Sequence, residues 1–337
     1  MRRGFILAAS LIVSAIFLWL ALRDVPLSDV ISGIRQANGA WLILSMFGVF
    51  ASLAGRAILW RGLLDNRLSL SQAFHILNVT MLLNLLPLRA GEVARSLLAT
   101  RSGIPVVTAA TSIVVERLLD VLAVVLMLVI AVSRLPSAPA GVTQVAAIFG
   151  AAAVLAFIIL IVFARYPQVA DRLLVWVESR IPVLKRLNGQ KRMDEVLDGL
   201  RPLTQRHRAV HALVWTVISW AASLATVYTL ERALSIDSSM LILGMLLSVS
   251  LASFSIGIPV SVASIGPFEG AVRVAGATVG MSPLAATTLG FLFHGISVLG
   301  YAVFGIIGLI ALGVSLGDVL AQARSEQPIS PDAQASG

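Results

Sequence analysis

The sequence contains no cysteine and few charged residues. Without cysteine, disulfides, thiolate metal sites and cysteine nucleophiles are excluded. Charged residues make up 12% of the chain, whereas soluble domains average roughly 25%. The four histidines, His75, His207, His211 and His294, have no metal-ligand spacing, so we predict no metal and no cofactor. No P-loop, GxGxxG or GxSxG motif is present, and we do not expect an enzyme.

Apolar sequence is abundant instead. Hydrophobic residues make up 58% of the chain and the mean hydropathy is +0.93. Several apolar runs approach the ~20 residues that cross a bilayer. Lys and Arg outnumber Asp and Glu by 25 to 17, mainly in loops, which indicates membrane orientation and anionic lipid rather than nucleic acid. The sequence predicts an all-α polytopic membrane protein with roughly seven to eight transmembrane helices.

The N-terminal run and the last apolar run need separate interpretation. Arg2 and Arg3 precede the first run, which places the N-terminus in the cytoplasm. We interpret this run as an uncleaved span, because no A-x-A cleavage site follows it. The last run would be ~51 Å long as one helix, so we predict a break near Gly290 or Gly295. The predicted long apolar segments are 4–22, 41–59, 105–132, 142–163, 211–230, 240–260 and 283–316.

Residues 1–316 are predicted to form a single integral-membrane domain. Within it, residues 165–210 are basic and polar, and Val196, Leu200 and Leu203 recur at helical spacing. This pattern predicts amphipathic helices on the cytoplasmic face of the bilayer. A small soluble domain is the alternative, although it would bury little core. Residues 317–337 are predicted to be a disordered tail.

Two interrupted segments resemble each other. PLRAGEVAR and IGPFEGAVR both place proline and glycine before a glutamate and an arginine. A helix that starts after such a break presents free N–H groups and a positive dipole end, which favours an anion site. One broken segment in each half is also typical of repeat-built transporters, so we predict two broken or re-entrant segments and a weak internal repeat. The predicted helix-breaking residues are Pro87, Gly91, Pro259, Gly266 and Pro267.

Charged residues occur in three clusters within or beside apolar sequence. Each charge costs roughly 2.5–3.5 kcal/mol at the centre of a membrane helix, so the clusters must face protein, water or the interface. Arg117 and Asp120 are three residues apart and can pair. We predict that the clusters bind the substrate along a polar pathway. The candidate binding residues are Asn84, Arg89, Glu92 and Arg95, then Glu116, Arg117 and Asp120, and finally Glu269 and Arg273.

Structural interpretations of the same clusters stay open at this point. The first cluster also fits a cytoplasmic loop that obeys the positive-inside rule. The second also fits structural ion pairing. The third also fits a tight helix-packing site in which Glu269 and Arg273 pair. His294 is interpreted as a hydrogen-bonded packing residue, with a proton carrier as the alternative. Four tryptophans near predicted span ends are interpreted as interfacial anchors: Trp41, Trp60, Trp215 and Trp220.

The ordered motifs NLLPLRAGEVAR, AATSIVVERLLDVLAVV and GIPVSVASIGPFEGAV resemble the integral-membrane domain of bacterial lysylphosphatidylglycerol synthase/flippase proteins and their stand-alone relatives. In two-part members a soluble domain transfers lysine to phosphatidylglycerol, and the membrane domain is held to move the product to the outer leaflet. The resemblance implies the lipid-moving role without the aminoacyl transfer, in a multi-pass protein of the bacterial inner membrane. The family motifs fall on Asn84, Pro87, Arg89, Gly91, Glu92, Arg95, Glu116, Arg117, Asp120, Pro259, Gly266 and Glu269.

The resemblance also implies partners. Membrane lipids are expected, namely an anionic or aminoacylated phospholipid or another polar lipid, together with a lipid-modifying partner enzyme or a second copy of the chain. Our first hypothesis is a flippase-like lipid translocase without covalent chemistry. Its arginines would hold an anionic head group, and its carboxylates would balance the charge. The second hypothesis is a non-transporting accessory subunit or an intramembrane enzyme of a lipid-modification pathway.

Overall fold

The computed structural model describes residues 2–86, 90–135, 140–180, 189–236, 241–256 and 262–325, in which helices are joined by short turns and loops and no strand occurs. This architecture confirms the predicted all-α class. The first helices are α1 (Arg2–Leu22), α2 (Leu27–Gln36), α3 (Gly39–Leu63), α4 (Leu70–Asn84), α5 (Gly91–Thr100), α6 (Val106–Val132) and α7 (Ala140–Arg165). The others are α8 (Pro167–Arg180), α9 (Gly189–Thr204), α10 (Arg206–Ala233), α11 (Leu241–Ile256), α12 (Pro267–Thr278), α13 (Pro283–Leu312) and α14 (Leu316–Ser325).

Three of the described helices, α3, α10 and α13, are long and apolar enough to cross a membrane. Shorter apolar helices cover Ile12–Leu22, Gly150–Arg165 and Leu241–Ile256. The helix α6 has 27 residues and carries three charges, which are directed into the protein. The protein is therefore a membrane protein, and the total of seven to eight spans stays a prediction.

Helices α3 and α10 form the most closely packed pair of the core. Three glycines at heptad spacing, Gly48, Gly55 and Gly62, face Thr226, Ser219 and His211 of α10 in turn. A Cβ at Gly55 would lie 2.5 Å from the Ser219 Oγ, so even alanine would displace the Ser219 side chain. Such small-residue contacts are the usual basis of helix association in membranes. They bring Arg56 of α3 close to Trp220 of α10.

The helix α13 is continuous, and the predicted break near Gly290 or Gly295 is wrong. Ser282 caps its start by accepting a hydrogen bond from the Ala285 N–H, and Pro283 occupies the first turn, where proline is tolerated. A Cβ at Gly290 would lie 3.2 Å from the Glu269 Cα. This glycine therefore allows close packing against α12 rather than interrupting its own helix.

Both predicted interrupted segments are broken in the structure. The helix α4 ends at Asn84, and α5 starts at Gly91, whose N–H donates to the Asn84 Oδ1 at 3.2 Å. The helix α11 ends at Ile256, and a 3₁₀ turn over Val262–Ser264 precedes α12. Gly266 has a φ of 93°, a conformation that favours glycine. Three predicted residues of these segments, Pro87, Arg89 and Pro259, lie outside the described residues.

Gly91→Ala is expected to destabilise the protein by about 1–3 kcal/mol, the usual cost of overpacking. The added Cβ would overlap the Thr80 carbonyl oxygen and lie 2.5 Å from the Asn84 Oδ1. Gly270→Ala is the matched control, because no heavy atom lies within 4 Å of the added Cβ and alanine favours helix by up to ~1 kcal/mol. Thermal unfolding in detergent, followed by circular dichroism, measures both variants. Equal melting temperatures would contradict the tight contact.

Two peripheral predictions need correction. The apolar positions Val196, Leu200 and Leu203 of α9 pack against the protein, in a cluster with residues of α3, α6, α7 and α10, and not against lipid. The predicted disordered tail is helical as far as Ser325, because α14 buries Val319 in a core cluster that α5 shares. Residues 326–337 lie outside the described residues.

Candidate functional site

A cavity of about 450 Å³ lies between the two broken segments. Its size falls within the 300–1,000 Å³ that is usual for small-molecule pockets. Asn84 at the end of α4 and Glu92 in the first turn of α5 line it beside one break, and Ser264 and Phe268 line it on either side of the start of α12. Long helices supply the other walls. The remaining charged, aromatic or imidazole side chains that line it are Arg56, Arg117, Asp120, Trp220, Phe254, Phe293, His294 and Tyr301.

Asp120 is the centre of a charged network on the cavity wall. Its carboxylate accepts two hydrogen bonds from the Arg56 Nη1, at 2.8 and 3.0 Å, and one from the Trp220 Nε1 at 2.9 Å. Arg117 approaches the same carboxylate at 3.3 Å, which confirms the predicted i,i+3 pair. Arg117 also lies 3.6 Å from the Glu92 carboxylate. The network therefore ties α3, α5, α6 and α10 together around the cavity.

A second ion pair lies behind this wall. The Arg95 guanidinium donates to both oxygens of Glu116, at 2.6 and 3.3 Å, and both side chains are fully buried. The Arg95 guanidinium stacks 4.0 Å from the Trp60 ring centroid, and the Trp60 Nε1 donates to the Ser112 Oγ at 3.0 Å. Neither Arg95 nor Glu116 lines the cavity. This pair holds α5 against α6, as the structural interpretation of the second cluster expects.

Exposure separates the network into an inner and an outer part. The Arg117 and Glu92 side chains are 38% and 47% exposed, whereas those of Arg56 and Asp120 are 12% exposed. The Arg117 guanidinium also donates to the buried Glu116 carboxylate at 2.6 Å, so it joins this network to the ion pair of Arg95 and Glu116. A ligand that enters the cavity therefore meets Arg117 and Glu92 with the least desolvation of the protein.

A carboxylate–imidazole pair stands on the opposite wall. The Glu269 Oε1 lies 2.6 Å from the His294 Nδ1, and Phe268 stacks on the His294 ring at 4.6 Å between centroids. His294 lines the cavity, and the buried Glu269 lies directly behind it. The structure thus gives His294 the hydrogen-bonded role that the sequence indicated. The alternative pair of Glu269 with Arg273 is wrong.

The helix N-termini at the two breaks already have internal partners. The Gly266 N–H donates to the Glu269 Oε2 at 2.7 Å, and the Gly91 N–H donates to the Asn84 Oδ1. Glu92 and Glu269 both stand in the first turn of their helix, where a carboxylate offsets the dipole. These helix ends are therefore less available to an anion than the sequence suggested, and the guanidinium groups supply the positive charge of the cavity.

Arg273 lies away from the cavity and connects α12 with α1. Its guanidinium donates to the carbonyl oxygens of Leu20 and Ala21 and lies 2.8 Å from the Asp24 carboxylate. The hydrogen bond from Arg273 lowers the pKa of Asp24 below its usual value. Arg273 therefore satisfies carbonyl groups at the C-terminus of α1, and the predicted substrate contact of this residue has no support in the geometry.

The sequence was compared with models of known protein families. The family model described as the lysylphosphatidylglycerol synthase TM region matches residues 7–305. The chain belongs to this family. The match includes all three charged clusters and both helix breaks, and it extends the sequence resemblance into α1. None of the curated proteins matches the chain in a direct comparison.

Membership in the lysylphosphatidylglycerol synthase TM family indicates a lipid-related role in a membrane. Of the predicted binding residues, the structure brings Asn84, Glu92, Arg117 and Asp120 to the cavity. Glu269 reaches it through His294. Arg89 lies outside the described residues.

Sequence reasoning missed two cavity residues of this family domain that contact Asp120. Arg56 was not among the candidate residues, and Trp220 was interpreted as an interfacial anchor, but both donate hydrogen bonds to Asp120. Trp60 was also interpreted as an anchor, yet it is fully buried against Arg95. The sequence did contain a sign of this role, because Arg56 is a charged residue that directly follows Gly55 within the apolar run of α3.

Proposed function

We propose that this protein is a flippase-like lipid translocase, in which the polar head group crosses the membrane through the cavity while the acyl chains stay in lipid. The observation that carries the proposal is the ring of Arg56, Glu92, Arg117 and Asp120 in a cavity bounded by two helix breaks. Membership in the lysylphosphatidylglycerol synthase TM family supports a lipid as the substrate.

The physical reason is the cost of desolvation. A charged head group loses many kcal/mol of hydration in hydrocarbon, so a path for it needs fixed charges and polar groups. Arg117 would bind the phosphate, with Arg56 deeper in the cavity. Glu92 and Asp120 would balance these arginines, and they would also suit an amino group on the lipid.

The balance of charge in the ring favours release as well as binding. Two arginines, Arg56 and Arg117, face two carboxylates, Glu92 and Asp120. The longest ion pair in the ring is that of Arg117 and Glu92, at 3.6 Å, and both side chains are substantially exposed. Such pairs contribute only ~0–1 kcal/mol, so a phosphate can replace Glu92 at little cost.

The same proposal includes orientation and partners. The protein would be a multi-pass component of the bacterial inner membrane with a cytoplasmic N-terminus, in agreement with the basic residues of 165–210. Its substrate would be an anionic or aminoacylated phospholipid or another polar lipid. A lipid-modifying enzyme would supply that lipid, and a second copy of the chain is a further candidate partner.

Reconstitution into vesicles of phosphatidylglycerol and phosphatidylethanolamine tests the proposal. One leaflet receives a fluorescent head-group-labelled lipid, and a membrane-impermeant reductant reports which leaflet it occupies. We expect transfer between leaflets to be faster than in protein-free vesicles, with no change in the chemical species. Equal rates across a panel of anionic, zwitterionic and aminoacylated lipids in the two preparations would overturn the proposal.

The second candidate is an accessory subunit or intramembrane enzyme of a lipid-modification pathway. The hydrogen-bonded pair of Glu269 and His294 on the cavity wall favours it, because such a pair can serve in general acid–base chemistry. Mass spectrometry of lipids from cells with and without the gene distinguishes the two candidates. A new or missing lipid species indicates modification, and an unchanged species with altered leaflet exposure indicates transport.

A further inference from the structure

Glu231 is a buried acid that neither ion network uses. It lies near the end of α10, its residue is fully buried, and neither oxygen of its carboxyl group has a hydrogen-bond partner in the described part of the chain. The other buried acids of the described residues have basic partners: Glu116 and Asp120 pair with arginines, and Glu269 pairs with His294. Glu231 therefore differs from these acids, because its carboxyl group has no basic partner among the described residues.

The surroundings of Glu231 are apolar and closely packed. A Cβ at Gly244 of α11 would lie 3.3 Å from the Glu231 Oε1 and 2.9 Å from the Met281 Cε. The adjacent residues Val227 and Leu230 of α10 belong to the largest buried apolar cluster, together with Met281. The helix α11 therefore approaches the carboxyl group closely at Gly244, and Glu231 has no exposed surface.

Charged groups on the neighbouring elements have other partners or lie at the surface. The helix α11 contains no charged or titratable residue. On α12, Glu269 pairs with His294 and Arg273 pairs with Asp24. The titratable groups nearest in sequence are Arg232, which is exposed, and Asp237, which lies outside the described residues. On α2, Asp29 and Arg35 are also exposed.

An ionised carboxylate without a partner is strongly disfavoured in such an environment, whereas a protonated carboxyl group is tolerated. We infer that Glu231 is a proton-binding site: this conformation holds the proton on the carboxyl group, and separation of α10 from α11, which packs against α12, releases it to water. Binding joins one proton to the carboxylate, and release restores the carboxylate and the proton.

Glu231 lies close enough to the cavity for its protonation to affect the cavity walls. Trp220, Ser223 and Thr226 of α10 line the cavity, and Glu231 lies five residues further along, ~7.5 Å at 1.5 Å per residue. Ionisation of Glu231 would thus favour separation of α10 and α11, which both line the cavity. A link between this opening and lipid movement rests on the proposed function, whereas the proton site itself does not.

The absence of cysteine makes a direct test practical, because single labels need no background substitutions. Spin labels at Arg232→Cys and Ala277→Cys, both exposed positions, report the separation of α10 from α12 by pulsed electron paramagnetic resonance. We expect the distance to increase from acidic to alkaline pH in the chain with Glu231. In Glu231→Gln, which mimics the protonated form, the short distance should persist at every pH. Asp29→Asn, an exposed acid, should behave like the parent.

Infrared difference spectroscopy of the unlabelled protein supplies the second measurement. A band of a neutral carboxyl group should be present at neutral pH and lost in Glu231→Gln. A pH-dependent distance that is unchanged in Glu231→Gln, or a parent chain without either the distance change or the band, would overturn the inference. Neither measurement involves lipid transfer, so a failure of the proposed function would leave this result standing, and the reverse also holds.

Discussion

Arg117→Gln is expected to reduce lipid transfer by about 10- to 100-fold, since the loss of a charge-assisted contact costs about 1.5–3 kcal/mol. The fold should survive. Glu116 retains its bidentate contact with Arg95, Asp120 retains Arg56 and Trp220, and the only acid left alone is Glu92, which is half exposed. The measurement is the leaflet-transfer rate in vesicles, accompanied by the melting temperature in detergent.

Arg67→Gln is the matched control for Arg117→Gln. Arg67 has the same side-chain exposure, 38%, and pairs with Asp198 at 2.8 Å, but it does not line the cavity. Transfer by this variant should match that of the parent protein. A folded Arg117→Gln protein with the parental rate, or an equal loss in both variants, would show that the effect is not specific to the cavity.

Glu116→Leu is expected to destabilise the protein by about 3–5 kcal/mol, because it leaves a buried charge without its partner. Arg95 would keep only its stacking contact with Trp60. Its side chain has no exposed surface, so water could not replace Glu116 without a rearrangement. Arg95→Met should cost less, since Glu116 would still bind Arg117 at 2.6 Å. Denaturant titration in mixed micelles gives the free energy of unfolding of each variant.

The double variant Arg95→Met/Glu116→Leu distinguishes the interaction between the two residues from the interactions of each with its other neighbours. Replacement of a whole buried ion pair by apolar groups is often neutral or stabilising, so the double variant should be more stable than Glu116→Leu alone. A double-mutant cycle then gives the coupling energy of the two residues. Strictly additive losses would show that Arg95 and Glu116 act independently, against the geometry.

Local sequence patterns predicted the parts of the site that depend on neighbouring residues. Proline and glycine indicated both helix breaks, and the spacing of Arg117 and Asp120 indicated their contact. The same patterns do not tell which helices meet. Arg56 and Trp220 reach Asp120 from α3 and α10, which are distant in sequence, so their contacts with Asp120 could not be deduced from spacing.

The wrong predictions arose because glycines, charged residues and apolar stripes can each serve more than one structural role. Gly290 suggested a break, but it serves close packing against α12. Arg273 suggested a partner four residues earlier on its own helix, but Leu20, Ala21 and Asp24 satisfy it on α1. The apolar stripe of α9 suggested lipid, but other helices cover it. In each case the sequence showed the chemical character of the residue, but it did not show which element the residue would contact.

The glycine contacts between α3 and α10 also restrict how the molecule can deform. Gly48, Gly55 and Gly62 keep the two helices in close contact, so we expect α3 and α10 to move together as one rigid unit. Arg56 and Trp220 would then travel with this unit and keep their mutual spacing throughout a transport cycle. Cross-links between α3 and α10 should therefore leave turnover intact.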